Sequence, residues 1–187
     1  VLVVSGLLAA GCAIPTQHGP STISSSRVPF QLLSPEPPST TTTQPRASSL
    51  VTVKIFLLTG TGGLVAVQRY LLATAPLSST LNALIAGPSN AESSTGMTTA
   101  IPNNVVVIST STVGHLVTVN FSEEFAEISG ESTEQAVAQV VATVVTQDGL
   151  GTGVIFEISG QNTSVPIASG ALVPGPVYLW QFIASAS

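Results

Sequence analysis

Residues 132–149 read STEQAVAQVVATVVTQDG, and the choice between helix and strand for this run decides the fold class. Valine is a mediocre helix former and a good strand former, so propensity alone allows a strand. The spacing favours a helix. Val137, Val140, Val141, Val144 and Val145 fall at i, i+3, i+4, i+7 and i+8, which makes one stripe of a helix. Ser132 with Gln135 three places on reads as a capping box, and Glu134 suits the positive end of the helix dipole. Asp148-Gly149 supplies the stop.

On either side of this helix the period changes to strand-like. Upstream, residues 104–110 (NVVVIST) and 115–121 (HLVTVNF) read as strands joined through Ser111 to Gly114, and downstream residues 153–159 (GVIFEIS) read as another. Further upstream, residues 51–59 (VTVKIFLLT) and 64–72 (LVAVQRYLL) flank Gly60-Thr61-Gly62-Gly63, the pattern of a hairpin. Pro76 suits a first helical position, Leu77, Leu81, Leu84 and Ile85 recur at helical spacing, and Gly87-Pro88 ends that helix. Residues 89–102 read as irregular, and Tyr178, Trp180 and Phe182 alternate like one face of a last strand. The order is β-β-α-β-β-α-β. It predicts an α+β two-layer sandwich, a mixed sheet of about five strands with two helices packed on one face.

Composition limits what such a domain can do. The 187 residues carry only 4 Lys+Arg and 9 Asp+Glu, 7% charged, against roughly 25% in an average soluble protein. A net charge of −5 leaves no basic surface for phosphates, so nucleic acid is excluded as a partner. Hydrophobic residues make up 44% of the chain, enough to bury a core. One cysteine allows no intrachain disulfide, and with two histidines it gives no zinc cage. No cofactor or metal is expected.

The chain opens VLVVSGLLAAGC. Val1 to Ala10 is too short to span a bilayer but suits a signal-peptide core. Leu8-Ala9-Ala10-Gly11-Cys12 resembles the bacterial lipobox, which implies a diacylglyceryl group on Cys12. Ala9 stands where that pattern prefers Leu, and a basic n-region is expected ahead of Val1. The competing reading of Cys12 is a buried apolar residue. From residue 13 to residue 49 the composition shifts to Pro, Ser and Thr, with seven of the thirteen prolines. Such a stretch cannot bury enough surface to offset its ordering entropy, so a disordered tether is expected there. Val28-Pro29-Phe30-Gln31-Leu32-Leu33 is its one apolar island. The expected organisation is therefore 1–12 signal core and lipobox, 13–49 tether and 50–187 folded domain.

With that order laid out, the residues resemble the GerMN domain of the bacterial sporulation and spore-germination family. Leu64-Val65-Ala66-Val67-Gln68-Arg69 matches its Leu-Val-x-Val-x-Arg strand end, with Ala66 where Pro is frequent. Leu84-Ile85-Ala86-Gly87-Pro88 matches a helix running into Leu-x-Gly-Pro, followed by Glu92, Gly96, Thr99, Ile101 and Pro102. Val119-Asn120-Phe121-Ser122-Glu123-Glu124-Phe125 and the series Ala136, Gln139, Val140, Val141 and Thr143 complete the match. It covers Val51 to about Gly160. The resemblance implies an interaction module of envelope lipoproteins, without catalytic residues to carry across. Gln139 is expected to tie its helix to a neighbouring loop.

The residues themselves point the same way. A nucleophile triad would need His115 and Asp148, yet no Gly-x-Ser-x-Gly turn presents a serine, and His115 reads as a turn residue. Gly149-Leu150-Gly151-Thr152-Gly153 follows a helix and precedes a strand, the reverse of a dinucleotide loop. Glu123, Glu124, Glu127, Glu131 and Glu134 form the one charge cluster, first a solvated acidic edge and second a partner-binding patch. We expect a non-enzymatic lipoprotein held by lipidated Cys12 on the outer face of the cytoplasmic membrane. Its envelope partner would meet Glu123, Glu124 and Glu127, and no small-molecule substrate is expected. The alternative is a peptidoglycan- or sugar-binding or hydrolysing envelope protein.

Overall fold

The first two strands form a hairpin, β1 (Leu50–Leu58) and β2 (Leu64–Leu72), in unbroken antiparallel register from Leu50↔Leu72 to Leu58↔Leu64. Alternation puts Val53, Ile55 and Leu57 of β1 on the buried face. The turn closes where Thr59 N–H donates to Gly63 O at 2.8 Å, with Gly62 at φ +83°, a conformation that favours glycine. These observations come from a computed structural model, which describes residues 49–183.

After the hairpin comes α1 (Leu77–Ile85), which buries Leu81, Leu84 and Ile85 as its spacing predicts. Pro76 is its N-cap residue rather than its first turn. Gly87, at φ +76°, ends the helix. The segment expected to be irregular instead begins with a short helix, α2 (Asn90–Ser94). Its capping box pairs Ser89 with Glu92, an S-x-x-E signature in a stretch with too few apolar residues to show a period.

A second sheet follows. In it β3 (Val107–Val113) pairs antiparallel with β4 (Leu116–Phe121), and β4 pairs in parallel with β5 (Gly153–Ile158). The β3–β4 turn is tighter than expected: β3 runs through Val113, and Gly114 and His115 alone make the connection, with Gly114 at φ +62°. The parallel pairing requires a crossover, and α3 (Glu131–Asp148) provides it. The remaining strands are two residues each: β6 (Gln161–Asn162), β7 (Val165–Pro166) and β8 (Leu172–Val173). The fold class is α+β, as the sequence predicts. Its five longer strands are divided between a hairpin and a mixed β3–β4–β5 ladder.

The α3 helix lies in the middle of this arrangement, touching α1, β1, β5, β7 and the turn at 179–181. Ten successive residues, Ala136 to Val145, are buried, so the helix is enclosed around its whole circumference and not only along the valine stripe. Its start differs from expectation. Gly130, at φ +65°, is the N-cap and makes no side-chain cap bond. Ser132 therefore falls inside the first turn, and Gln135 Nε2 reaches Glu131 Oε1 instead. The expected last strand is also absent. Pro174 and Pro176 remove backbone donors, Val177 alone pairs with Val154, and residues 179–181 form a 3₁₀ turn closed by Tyr178 N–H donating to Gln181 Oε1.

Candidate functional site

Three groups of polar residues stand out, and two of them face inward. The first lies along the outer edge of β1. Gln139, Thr143 and Gln147 are spaced four apart, so they line one side of α3. Gln139 Nε2 donates to Phe56 O at 2.8 Å, Phe56 N–H donates to Thr143 Oγ1 at 3.1 Å, and Gln147 Nε2 reaches Lys54 O at 3.4 Å. One residue pair further on, Leu58 and Thr98 exchange backbone hydrogen bonds at 2.9 Å. An open strand edge is thus satisfied by side chains of a helix. The same Gln139 accepts from Ala100 N–H at 2.9 Å through Oε1, which ties α3 to the 98–101 loop as the sequence predicts.

The second group joins three family-motif positions into one network. The Arg69 guanidinium donates to Glu92 Oε1 at 2.8 Å and to Oε2 at 2.7 Å, and also to Gly87 O at 3.1 Å. Ser89 N–H adds a bond to Glu92 Oε2 at 2.7 Å. Arg69 lowers the Glu92 carboxyl to about 2, helped by Ser89, while partial burial opposes the shift. The network clamps the end of α1, the start of α2 and β2 together. Sequence reading named Arg69, Gly87 and Glu92 without seeing the contact, and did not single out Ser89. The available signal was a lone arginine on β2 and an acid at the third position of a capping box.

The third group faces outward. Phe125 is buried, its ring centroid 4.5 Å from that of Phe121 and 5.9 Å from that of Phe156. This aromatic stack pins the 3₁₀ turn Glu123–Glu127, and Glu123 and Glu127 are exposed on it. Glu124 is half-buried, and the Ser122 hydroxyl holds its carboxyl below the usual carboxylate range. That hydroxyl also accepts from Val106 N–H at 3.0 Å. The three acids of the expected contact are therefore brought onto one turn, two fully presented and one partly tucked in. Glu131 is exposed and Glu134 half-buried at the start of α3.

The residues that a nucleophile triad would need are not joined among the described residues. His115 is exposed in the β3–β4 turn, Asp148 ends α3, and no hydrogen bond links them among the described residues. No group of three or more His, Cys, Asp or Glu residues able to hold a metal occurs among the described residues. Gly149 and Gly151 lie at φ +109° and +94° in the turn between α3 and β5, and Gly60 to Gly63 close the hairpin, so both glycine-rich stretches are connections. A groove of about 180 Å³ is lined by Val145, Leu150, Tyr178, Leu179, Trp180 and Ile183, among others, and carries no charged residue. Trp180 is 70% exposed there, its ring centroid 6.4 Å from that of Tyr178. Sequence reading missed this groove because the alternating aromatics suggested a strand. No described helix is long and apolar enough to cross a membrane. Cys12, the 13–48 part of the tether and the Val28–Leu33 island lie outside the described residues.

A family model described as "Germane: Sporulation and spore germination" matches residues 54–164. Among solved structures, the chain is similar to the first GerMN domain of the sporulation protein GerM from Bacillus subtilis, at TM-score 0.51 and 18% identity over 68% of this chain and 97% of that one. It is also similar to the tandem GerMN domains of the same protein, at TM-score 0.52 and 18% identity over 71% of this chain. It spans 45% of that tandem chain. At this identity the likeness establishes the fold. No curated protein matches in sequence.

Proposed function

Since the chain belongs to the sporulation and spore germination family, we propose that it is an envelope lipoprotein whose domain works by binding another protein and catalyses nothing. In this reading Cys12 carries the lipid on the outer face of the cytoplasmic membrane. Residues 13–49 serve in this reading as the tether between anchor and domain. Residues 50–187 form the interaction module. One observation carries the non-enzymatic part: the polar groups of the family motifs bond within the protein. Arg69 and Glu92 bond each other, and Gln139 and Thr143 bond the β1 edge.

The partner would meet the acidic turn Glu123–Glu127, pinned from behind by Phe125. Two cations, Lys54 and Arg69, stand among the described residues against eight acids, since Arg27, Arg46 and Glu36 precede residue 49. Arg69 is held by Glu92, so a basic or neutral polar partner surface is the complement.

The discriminating experiment incubates the full chain with peptidoglycan fragments and with a membrane-protein extract from the source cells. Capture of a discrete protein, without saturable sugar binding or bond cleavage, supports this reading. Saturable sugar binding or turnover overturns it in favour of a sugar-directed envelope protein.

A further inference from the structure

The domain has two unlike ends. Gln139 meets Phe56 and Gln147 meets Lys54, so α3 runs antiparallel to β1, and as the crossover from β4 to β5 it runs antiparallel to them too. The start of β1, the end of β2, the β3–β4 turn and the α3–β5 turn therefore share one end. Exposed there are Leu50, Leu72, Val113, Leu116, Leu150 and Trp180, with Val113 at 77% and Leu150 at 91%. Their surroundings are continuous. A cavity of about 230 Å³ joins Leu72 of β2 to Thr112 of β3 and Asp148 of α3. Leu116 and Tyr178 close together over Gly153, and the groove beside Leu150 also holds Tyr178 and Trp180. At the other end, Glu123, Glu124 and Glu127 stand on the turn after β4, and Glu131 and Glu134 on the first turn of α3. The 18 residues of α3 separate the two ends by ~27 Å at a rise of ~1.5 Å per residue.

We propose that the apolar end lies on the lipid bilayer, its side chains at the depth of the headgroups, with the acidic end held outward. Clustered exposed apolar side chains with a tryptophan among them suit the boundary between headgroups and acyl chains. The path of the chain selects lipid as the occupant. Leu50, where the chain arrives from Cys12, belongs to the patch itself. An anchor on Cys12 therefore attaches at this end and keeps it at high effective concentration beside the membrane, so a contact too weak to hold a free domain is populated.

Charge selects the orientation. Anionic headgroups repel carboxylates, and the repulsion fades within about 8 Å at physiological ionic strength. With the apolar end down, the acids from Glu123 to Glu134 lie beyond that distance, and with the domain inverted they lie inside it. Asp148, exposed at the margin of the patch, keeps its carboxylate in water, so the contact is shallow. This orientation rests on the proposed anchor at Cys12 and adds which end of the domain the membrane meets. It leaves the acidic turn facing a partner.

The chain has one cysteine and one tryptophan, which supply the attachment and the reporter. The full chain is coupled through Cys12 to a maleimide lipid in phosphatidylcholine vesicles, with and without phosphatidylglycerol, so attachment does not depend on lipidation in cells. Acyl chains brominated near the headgroup quench a tryptophan that enters the interface. The expected result is a blue-shifted Trp180 emission, quenched by the brominated lipid in both compositions. Both effects should be lost in Leu150→Asp and in Val113→Asp at equal coupling, with unchanged circular dichroism because both side chains are exposed. Emission identical to that of the uncoupled chain in buffer overturns the proposal, and so does quenching that survives both aspartate variants. A blue shift that grows with the surface density of coupled chain and ignores bromine also overturns it and gives the patch to a second copy. Fractionation of cells carrying Cys12→Ser reads the anchor separately, so either reading can fail without the other.

Discussion

Gln139 of α3 and Phe56 of β1 are joined by a side-chain-to-backbone hydrogen bond of 2.8 Å across 83 residues of sequence, on a strand edge that no other strand covers among the described residues. The bond has a partner in reverse, Phe56 N–H to Thr143 Oγ1, so both backbone groups of one residue are satisfied by one helix. This pairing explains polar residues in the middle of a buried valine run. Leaving a buried backbone group without its bond costs about 1–3 kcal/mol.

Replacing Gln139→Leu therefore strands Phe56 O and Ala100 N–H together, and the expected loss is about 3 kcal/mol. Urea unfolding reads it as a lower midpoint with an unchanged slope. Thr143→Val keeps the shape and removes only the acceptor for Phe56 N–H, with an expected loss of about 1–2 kcal/mol. Losses within ~0.5 kcal/mol in both variants would show that the edge contacts do not support the fold.

The Arg69–Glu92 pair makes stability depend on pH. Glu92 titrates at about 2 in the folded protein, below its ordinary 4.5. A depressed carboxyl stabilises the fold above the unfolded value and loses that contribution as pH falls toward the folded one. The pair is about one-fifth exposed on each side, so solvent screens it, and about 1–2 kcal/mol is expected. Measured by urea unfolding between about pH 6 and about pH 2, the gap between the wild-type chain and Glu92→Gln should shrink steadily. A gap that stays constant over that range would be the wrong result for a coupled pair.

The acidic turn is expected to act on association rather than on folding. Glu123, Glu124 and Glu127 changed together to Gln should alter stability by no more than ~0.5 kcal/mol per site, because Phe125 anchors the turn. Once a partner is in hand, association of the triple variant should be slower and lose its salt dependence. Unchanged rate and unchanged salt dependence would move the interface to another surface, first among them the Tyr178–Trp180 groove.

For the anchor, Cys12→Ser in the full-length precursor should release the protein from membranes, as read by fractionation with a salt wash. Retention of the serine variant in the washed pellet would refute the lipobox reading.

Much of the fold was legible because its signals are local. A period of two marks the hairpin and the β4 and β5 strands, a period near 3.6 marks α1 and α3, and glycine or proline punctuates them. Failures fell where local signals compete. Ser132 and Gln135 satisfy a capping-box pattern, but Gly130 at positive φ starts the helix earlier. The alternating aromatics of the tail satisfy a strand pattern, but Pro174 and Pro176 deny it a ladder. The short α2 lacks an apolar period altogether, and only its cap announces it.

By itself the sequence determined the α+β order, the helical nature of the valine run, the family and the acidic, cation-poor character of the domain. The order, the helix and the charge follow from spacing and composition, and the family from the resemblance of its motifs, none of which needs knowledge of what meets what. Only the tertiary structure decided that Arg69 finds Glu92, that Gln139 and Thr143 seal the β1 edge, that Ala136 to Val145 of α3 are all buried and that β4 joins β3 to β5. Residues 23 to 87 apart become neighbours through chain topology. The hydrogen bonds they then make are worth their full value because the groups have left water together.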